Sequence, residues 1–180
     1  MAPPLRRALW VGAAVVAGAA ILALALQGQR PEPGFVRFEA AGVMLHIAPE
    51  RAREVHVTAG DRRWRFTRSG SGGWAAVGAP AAPADAERRL ESGLRLLHAS
   101  APQRVIARDE LERVPAAEYG LDPPRYTVVV YADAAEPFTI QFGAANAQGL
   151  AQYARVAGRD ELLLLPRFVG EPFQLLTGLR

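Results

Sequence analysis

The sequence predicts an α+β protein: an N-terminal transmembrane helix followed by two antiparallel β-meander-plus-helix units. Three features point there. No residue from Ala8 to Gln29 is charged; from residue 43 apolar and polar side chains alternate with the period of a strand; and after Asp85 the period lengthens to that of a helix before strands resume.

Residues 1–7 form a short cytoplasmic tail carrying Arg6 and Arg7. The uncharged run 8–29, at roughly 1.5 Å per residue, is long enough for the ~30 Å hydrocarbon core of a bilayer. Leu9 to Leu26 is apolar on every side, unlike a helix that buries one stripe in a soluble core. Arginines ahead of the span keep the N-terminus in the cytoplasm and send the chain beyond Arg30 across the membrane. Ala23-Leu24-Ala25 offers a signal-peptidase pattern, so cleavage is the competing expectation to a retained anchor; the folded part is exported either way. Residues 30–34 close the Pro- and Gly-bearing stretch QGQRPEPG as a linker, and 35–180 form the extracytoplasmic domain.

Within that domain, Val43, Leu45 and Ile47 suggest a first strand, Val55 and Val57 a second, Trp64 and Phe66 a third, and Trp74 to Val77 a fourth. Ala48-Pro49-Glu50, Ala59-Gly60-Asp61 and the Ser69 to Gly73 stretch supply short turns, as an antiparallel meander needs. Asp85 is placed to cap a helix with Ala86, Leu90, Leu94 and Leu97 on one face, and Glu91 and Arg95 as a solvent-side i,i+4 pair. A second round comes next, with a strand over 103–107, a short helix over 109–114 and a stop at Tyr119 to Pro124. Strands are then expected over 125–132, 137–142, 151–157 and 161–165, closed by an apolar C-terminal segment through Phe168, Phe173, Leu176 and Leu179. Meander then helix, twice, is the order a degenerate duplication would leave.

Composition removes several function classes. There is no cysteine, hence no disulfide scaffold, thiolate metal site, cysteine nucleophile or acylated-cysteine anchor. No lysine occurs either, which removes Schiff-base chemistry and the lysine-bearing phosphate loop. The formal charge of +3 is unevenly placed: residues 37–68 net +3, residues 69–180 net −2, and 30–180 together only +1. A nucleic-acid partner is therefore not expected.

An ordered set of residues resembles a bacterial family. Trp74 before a proline-bearing loop, Ala84-Asp85 opening a helix, Tyr119-Gly120-Leu121-x-Pro123 before an apolar strand, Phe142-Gly143, and Tyr153-Ala154-Arg155 before Leu162 to Leu165 resemble the bacterial domain of unknown function 4340. The resemblance spans nearly all of the exported part, and the weight lies in order and spacing. It implies an envelope-exposed domain behind a single inner-membrane anchor, in the periplasm, often encoded beside exporter components related to gliding-motility transporters. Trp74, Asp85, Tyr119, Gly120, Leu121, Pro123, Gly143 and Tyr153 are expected to be structural. This chain is shorter than many relatives, with one copy of the unit pair.

Chemistry-bearing groups are sparse. Were 43–47 and 54–58 a hairpin, His46 and His56 would face one another near Glu54, but a metal needs a further ligand, so two polar-face histidines are expected and no metal. Ser69-Gly70-Ser71-Gly72-Gly73 misses the G-x-S-x-G order and suits a turn. Asp109 and Glu110, like Asp160 and Glu161, sit where turn or helix-start roles account for them. No cofactor and no catalytic set is expected. One feature has functional pull: Arg63 and Arg65, opposite Trp64 and Phe66, together with Arg51, Arg53, Arg62 and Arg68 at the adjoining turns, are expected to form a basic interaction patch. The function expected is that of a membrane-anchored accessory or scaffolding protein, not an enzyme, working through an envelope protein partner such as an ABC-type exporter. Binding of an anionic envelope glycan or lipid is the alternative, and a hydrolase the third.

Overall fold

The computed structural model of the chain describes residues 17–19, 42–70, 72–111, 115–133 and 135–178. The chain divides into two compact units, Met1–Glu39 and Ala40–Arg180. In the first, residues 17–19 are described, as helix. The rest of the expected span 8–29, the tail 1–7 and the linker 30–34 lie outside the described residues. Among the described residues, no helix is long and apolar enough to cross a membrane.

The second unit is α+β. Its strands are β1 (Ala52–Ala59), β2 (Arg62–Arg68), β3 (Trp74–Val77), β4 (Arg104–Ile106), β5 (Tyr126–Ala132), β6 (Phe138–Ala145), β7 (Ala151–Val156) and β8 (Leu162–Pro166). Its helices are α1 (Ala86–Ala99), α2 (Arg108–Leu111) and α3 (Arg167–Leu176), with 3₁₀ turns at Pro49–Arg51 and Ala116–Tyr119. Among the described residues the eight strands make one antiparallel sheet in the order β3-β2-β1-β5-β6-β7-β8-β4. The first strands of the two meanders, β1 and β5, are the third and fourth strands in that order and pair with one another, so each meander runs outward from their shared seam. Short connections build the meanders: Gly60, at φ +56°, takes the left-handed conformation that turns β1 into β2.

Alternation assigns the two faces of the sheet. Val55 and Val57 of β1, Trp64 and Phe66 of β2, Val128 and Val130 of β5 and Ile140 and Phe142 of β6 are buried on one side. Over that side lie α1 and α3. The stripe of α1 is buried as its 3.6-residue period requires, with Leu90, Leu94 and Leu97 fully enclosed, and Val169, Phe173 and Leu176 of α3 join the same core. A smaller cluster of Ile106, Leu121 and Leu162 forms on the opposite side, at the β8–β4 end of the sheet.

Three local expectations are corrected. Residues 43–47 are not a strand: Val43, Met44 and Ile47 are all buried, and Met44 N–H donates to the Leu97 carbonyl at 3.0 Å. Both sides of β1 are already taken, by β2 and β5, so the segment satisfies its backbone at the end of α1 instead. Asp85 stands at the start of α1 without a side-chain cap bond; its carboxylate holds Arg88 at 2.8 Å and Arg89 at 2.6 Å. Glu91 is drawn from the expected solvent pair, with Arg95 4.0 Å away, to the Arg68 guanidinium at 2.6 Å and the Trp74 Nε1–H at 3.0 Å.

Candidate interaction surface

The expected arginine patch is distributed along the sheet. Arg51 and Arg53 stand at the start of β1, where Arg53 pairs with Asp133 at 2.7 Å. A bulge between Ala52 and Glu54 turns Arg53 outward. Arg62 and Arg63 lie at the other end of β1 and β2, roughly 20 Å away at the rise of a strand. Arg62 covers the Trp64 ring, its guanidinium carbon 5.1 Å from the centroid. Arg68 has left the surface. It stacks on Trp74 at 4.6 Å, pairs with Glu91, and donates to the carbonyls of Ala52, Gly72 and Pro49 at 3.0, 3.0 and 3.1 Å. Its position was legible: Arg68 continues the buried parity of Trp64 and Phe66.

Arg63 and Arg65 are the members that share one exposed sheet face. Strand pairing sets Thr58 opposite Arg63 and His56 opposite Arg65 on β1, then Thr127 and Val129 on β5. At the middle of this face Arg65 Nε lies 2.6 Å from Glu54, and His56 Nε2–H donates to the same carboxylate. The Arg65 guanidinium, opposed by partial burial and helped by His56, holds the Glu54 carboxyl below its ordinary range. Tyr131 packs on His56 with ring centroids 5.0 Å apart. Glu54 and His56 reach Arg65 through the register of the short β1–β2 hairpin, whereas Tyr131 was not expected beside them, because its arrival depends on the β1–β5 register, set by residues over seventy positions apart. Among the described residues, Arg62 and Arg63 form no salt bridge.

The motif residues assemble elsewhere. Tyr119 meets Tyr153 edge-on with centroids 4.8 Å apart, beside Leu121 in the smaller core. Gly120 takes φ +65°, and a Cβ on Gly143 would stand 2.1 Å from the Tyr119 carbonyl, so two glycines let the turn lie directly on β6. Pro123 belongs to the turn closed by the Leu121–Pro124 bridge. Trp74 belongs to the Arg68–Glu91 cluster.

Comparison with protein-family models, curated proteins and solved structures yields no match.

Other groups are separated. His46 tilts against Phe138 at 5.7 Å, far along the fold from His56, since the supposed hairpin does not form. It lines an open depression of about 620 Å³ with Glu136, Phe138 and Arg159 at the β6–β7 end. The Ser69 hydroxyl donates to the Gly73 carbonyl at 3.1 Å within its turn, while Ser71 lies outside the described residues. Glu110 is paired with Arg104, and Asp160 lies 3.5 Å from Arg108. Metal-ligating side chains do not gather in threes among the described residues.

Proposed function

We propose that the chain is a membrane-anchored periplasmic accessory or scaffolding protein, held by a transmembrane helix over residues 8–29, that acts through contacts of its uncovered sheet face with an envelope protein such as an exporter subunit. The observation that carries this is the face itself. From β2 to β5 it presents Arg63, Arg65, His56, Val129 and Tyr131 with no helix over it among the described residues, whereas α1 and α3 cover the other side. A mixed cationic and aromatic surface of this kind suits protein recognition, in which arginine and tyrosine dominate binding energy. Two further points favour a relative of the domain of unknown function 4340: the motif residues Tyr119, Gly120, Gly143 and Tyr153 interlock, and the two meanders radiate from paired first strands as duplicated units would.

A photo-crosslinking side chain at Thr58 or Thr127, in the full chain in its native membrane, tests the proposal. A discrete protein adduct that is absent from Arg95, on the helix side, is the expected result. Adducts with glycan or lipid alone would replace it with the alternative, recognition of an anionic envelope polymer. A reporter fused after Arg180 should be active only outside the cytoplasm.

A further inference from the structure

β3 ends the sheet on the side of the first meander, and β2 is its one strand neighbour among the described residues. Its sequence, Trp-Ala-Ala-Val, carries no charge and no proline, and Ala75, Ala76 and Val77 are exposed. Sheet edges are ordinarily blunted by charge, proline or brevity. The opposite edge obeys that rule: β4 has three residues and begins at Arg104, which is paired with Glu110.

The ladder decides which backbone groups of β3 face outward. Ser69 N–H donates to the Gly73 carbonyl across the hairpin at 2.8 Å, so hydrogen-bonded pairs recur at Thr67 with Ala75 and at Arg65 with Val77. The N–H and C=O groups of Trp74 and Ala76 therefore point away from β2. An incoming strand would find two residues of open ladder there, with Ala75 and Ala76 too small to obstruct it and Trp74 buried in the core.

Charge selects the occupant. A strand added to β3 would lie about 10 Å from β2, two strand spacings, a gap that arginine and glutamate side chains close at Arg65, across Val77, and at Arg63, two residues further along β2 and just past the end of β3. Arg63 has no salt bridge among the described residues, and Arg65 shares its carboxylate with His56. A second copy of the chain added edge to edge would bring its own β3 and β2, which carry no carboxylate to offer Arg63. We propose that β3 is a strand-addition site for an extended segment of a partner protein that carries glutamate or aspartate at alternate positions, facing Arg63 and Arg65; this deepens, and rests on, the protein-contact function proposed above. Backbone pairing supplies the affinity in such a mode and the alternating side chains its specificity.

The test titrates the full-length, detergent-solubilised protein into a fluorescent peptide alternating valine with glutamate. Binding that weakens with salt, and is lost when the peptide backbone is N-methylated or its glutamates are replaced by lysine, is expected. Ala76→Pro removes an outward N–H without taking a bond from the β2 ladder, and Arg63→Glu reverses the facing charge. Each should weaken the acidic peptide by about tenfold or more, and Arg63→Glu should admit the lysine peptide. Failure of the acidic peptide to bind the native chain, or unchanged binding to an Ala76→Pro or Arg63→Glu protein that melts normally, overturns strand addition. Crosslinks from Thr58 separate the two proposals. A protein adduct persisting in Ala76→Pro rejects strand addition while keeping the protein-contact function, whereas no protein adduct in the native chain rejects both.

Discussion

A Cβ built on Gly93 would stand 2.6 Å from the ring of Phe173. α1 and α3 thus meet where one helix has no side chain, and the fully buried aromatic ring of the other fills the space. Gly93→Ala gains up to ~1 kcal/mol of helix propensity, but overpacking a close contact costs about 1–3 kcal/mol. A net loss is expected, seen as a lower denaturant midpoint. Phe173→Leu, made in the Gly93→Ala background, should recover part of it; a midpoint raised by Gly93→Ala alone would show that the two helices separate easily.

Arg68 and Arg63 should behave oppositely although they lie on one strand. Arg68→Met strips a guanidinium from Glu91, the Trp74 face and three backbone carbonyls, and should cost about 2–4 kcal/mol. That lies toward the lower side of the buried-pair range because Glu91 is partly exposed and retains the Trp74 N–H. Arg63→Glu, on the exposed face, should stay within ~0.5 kcal/mol. Urea unfolding of the two variants decides the matter.

Tyr126 tests the polar joint between sheet and helix. Its buried hydroxyl lies 3.0 Å from both Gln152 Oε1 and the Gly170 carbonyl, and Gln152 Nε2–H donates onward to the Gly143 carbonyl at 2.9 Å. Burial pushes the phenol far above its ordinary range, so it remains a proton donor at any physiological pH. Tyr126→Phe removes the single hydroxyl proton that two enclosed acceptors share and should cost about 1–3 kcal/mol. Calorimetry should register it as a lower Tm, despite the preserved stack on Phe142, 4.8 Å between centroids.

Acid should release the Glu54 cluster. Because Arg65 holds this carboxyl below its ordinary value of 4.5, the folded state binds its proton less readily than the unfolded chain does. The resulting stabilisation is complete above pH 4.5 and fades as pH falls through the lower folded value. Glu54→Gln should therefore flatten that acid limb of a stability–pH curve, and also reduce its dependence on salt. An unchanged limb would mean that Arg65 and Glu54 part in solution.

Local period and composition were enough to establish several features of this protein. The α1 stripe of Leu90, Leu94 and Leu97, the alternation in β1, β2, β5 and β6, and the uncharged run at the N-terminus all arise from the spacing of side chains along the chain's own repeat, which needs no distant partner. Tertiary structure decided the rest. Residues 43–47 alternate as a strand would, yet both sides of the neighbouring β1 are taken by β2 and β5, so the segment pairs its backbone with the end of α1. The buried parity of Arg68 was visible, but the carboxylate and indole that make its burial tolerable come from α1 and β3. Tyr119 and Tyr153, thirty-four positions apart, meet only because glycines at 120 and 143 allow two backbones to touch. The exposed face likewise exists only once β1 has paired with β5. Contacts between distant segments are selected by which faces must be buried together and which backbone groups still need partners, and neither is a property of a local window.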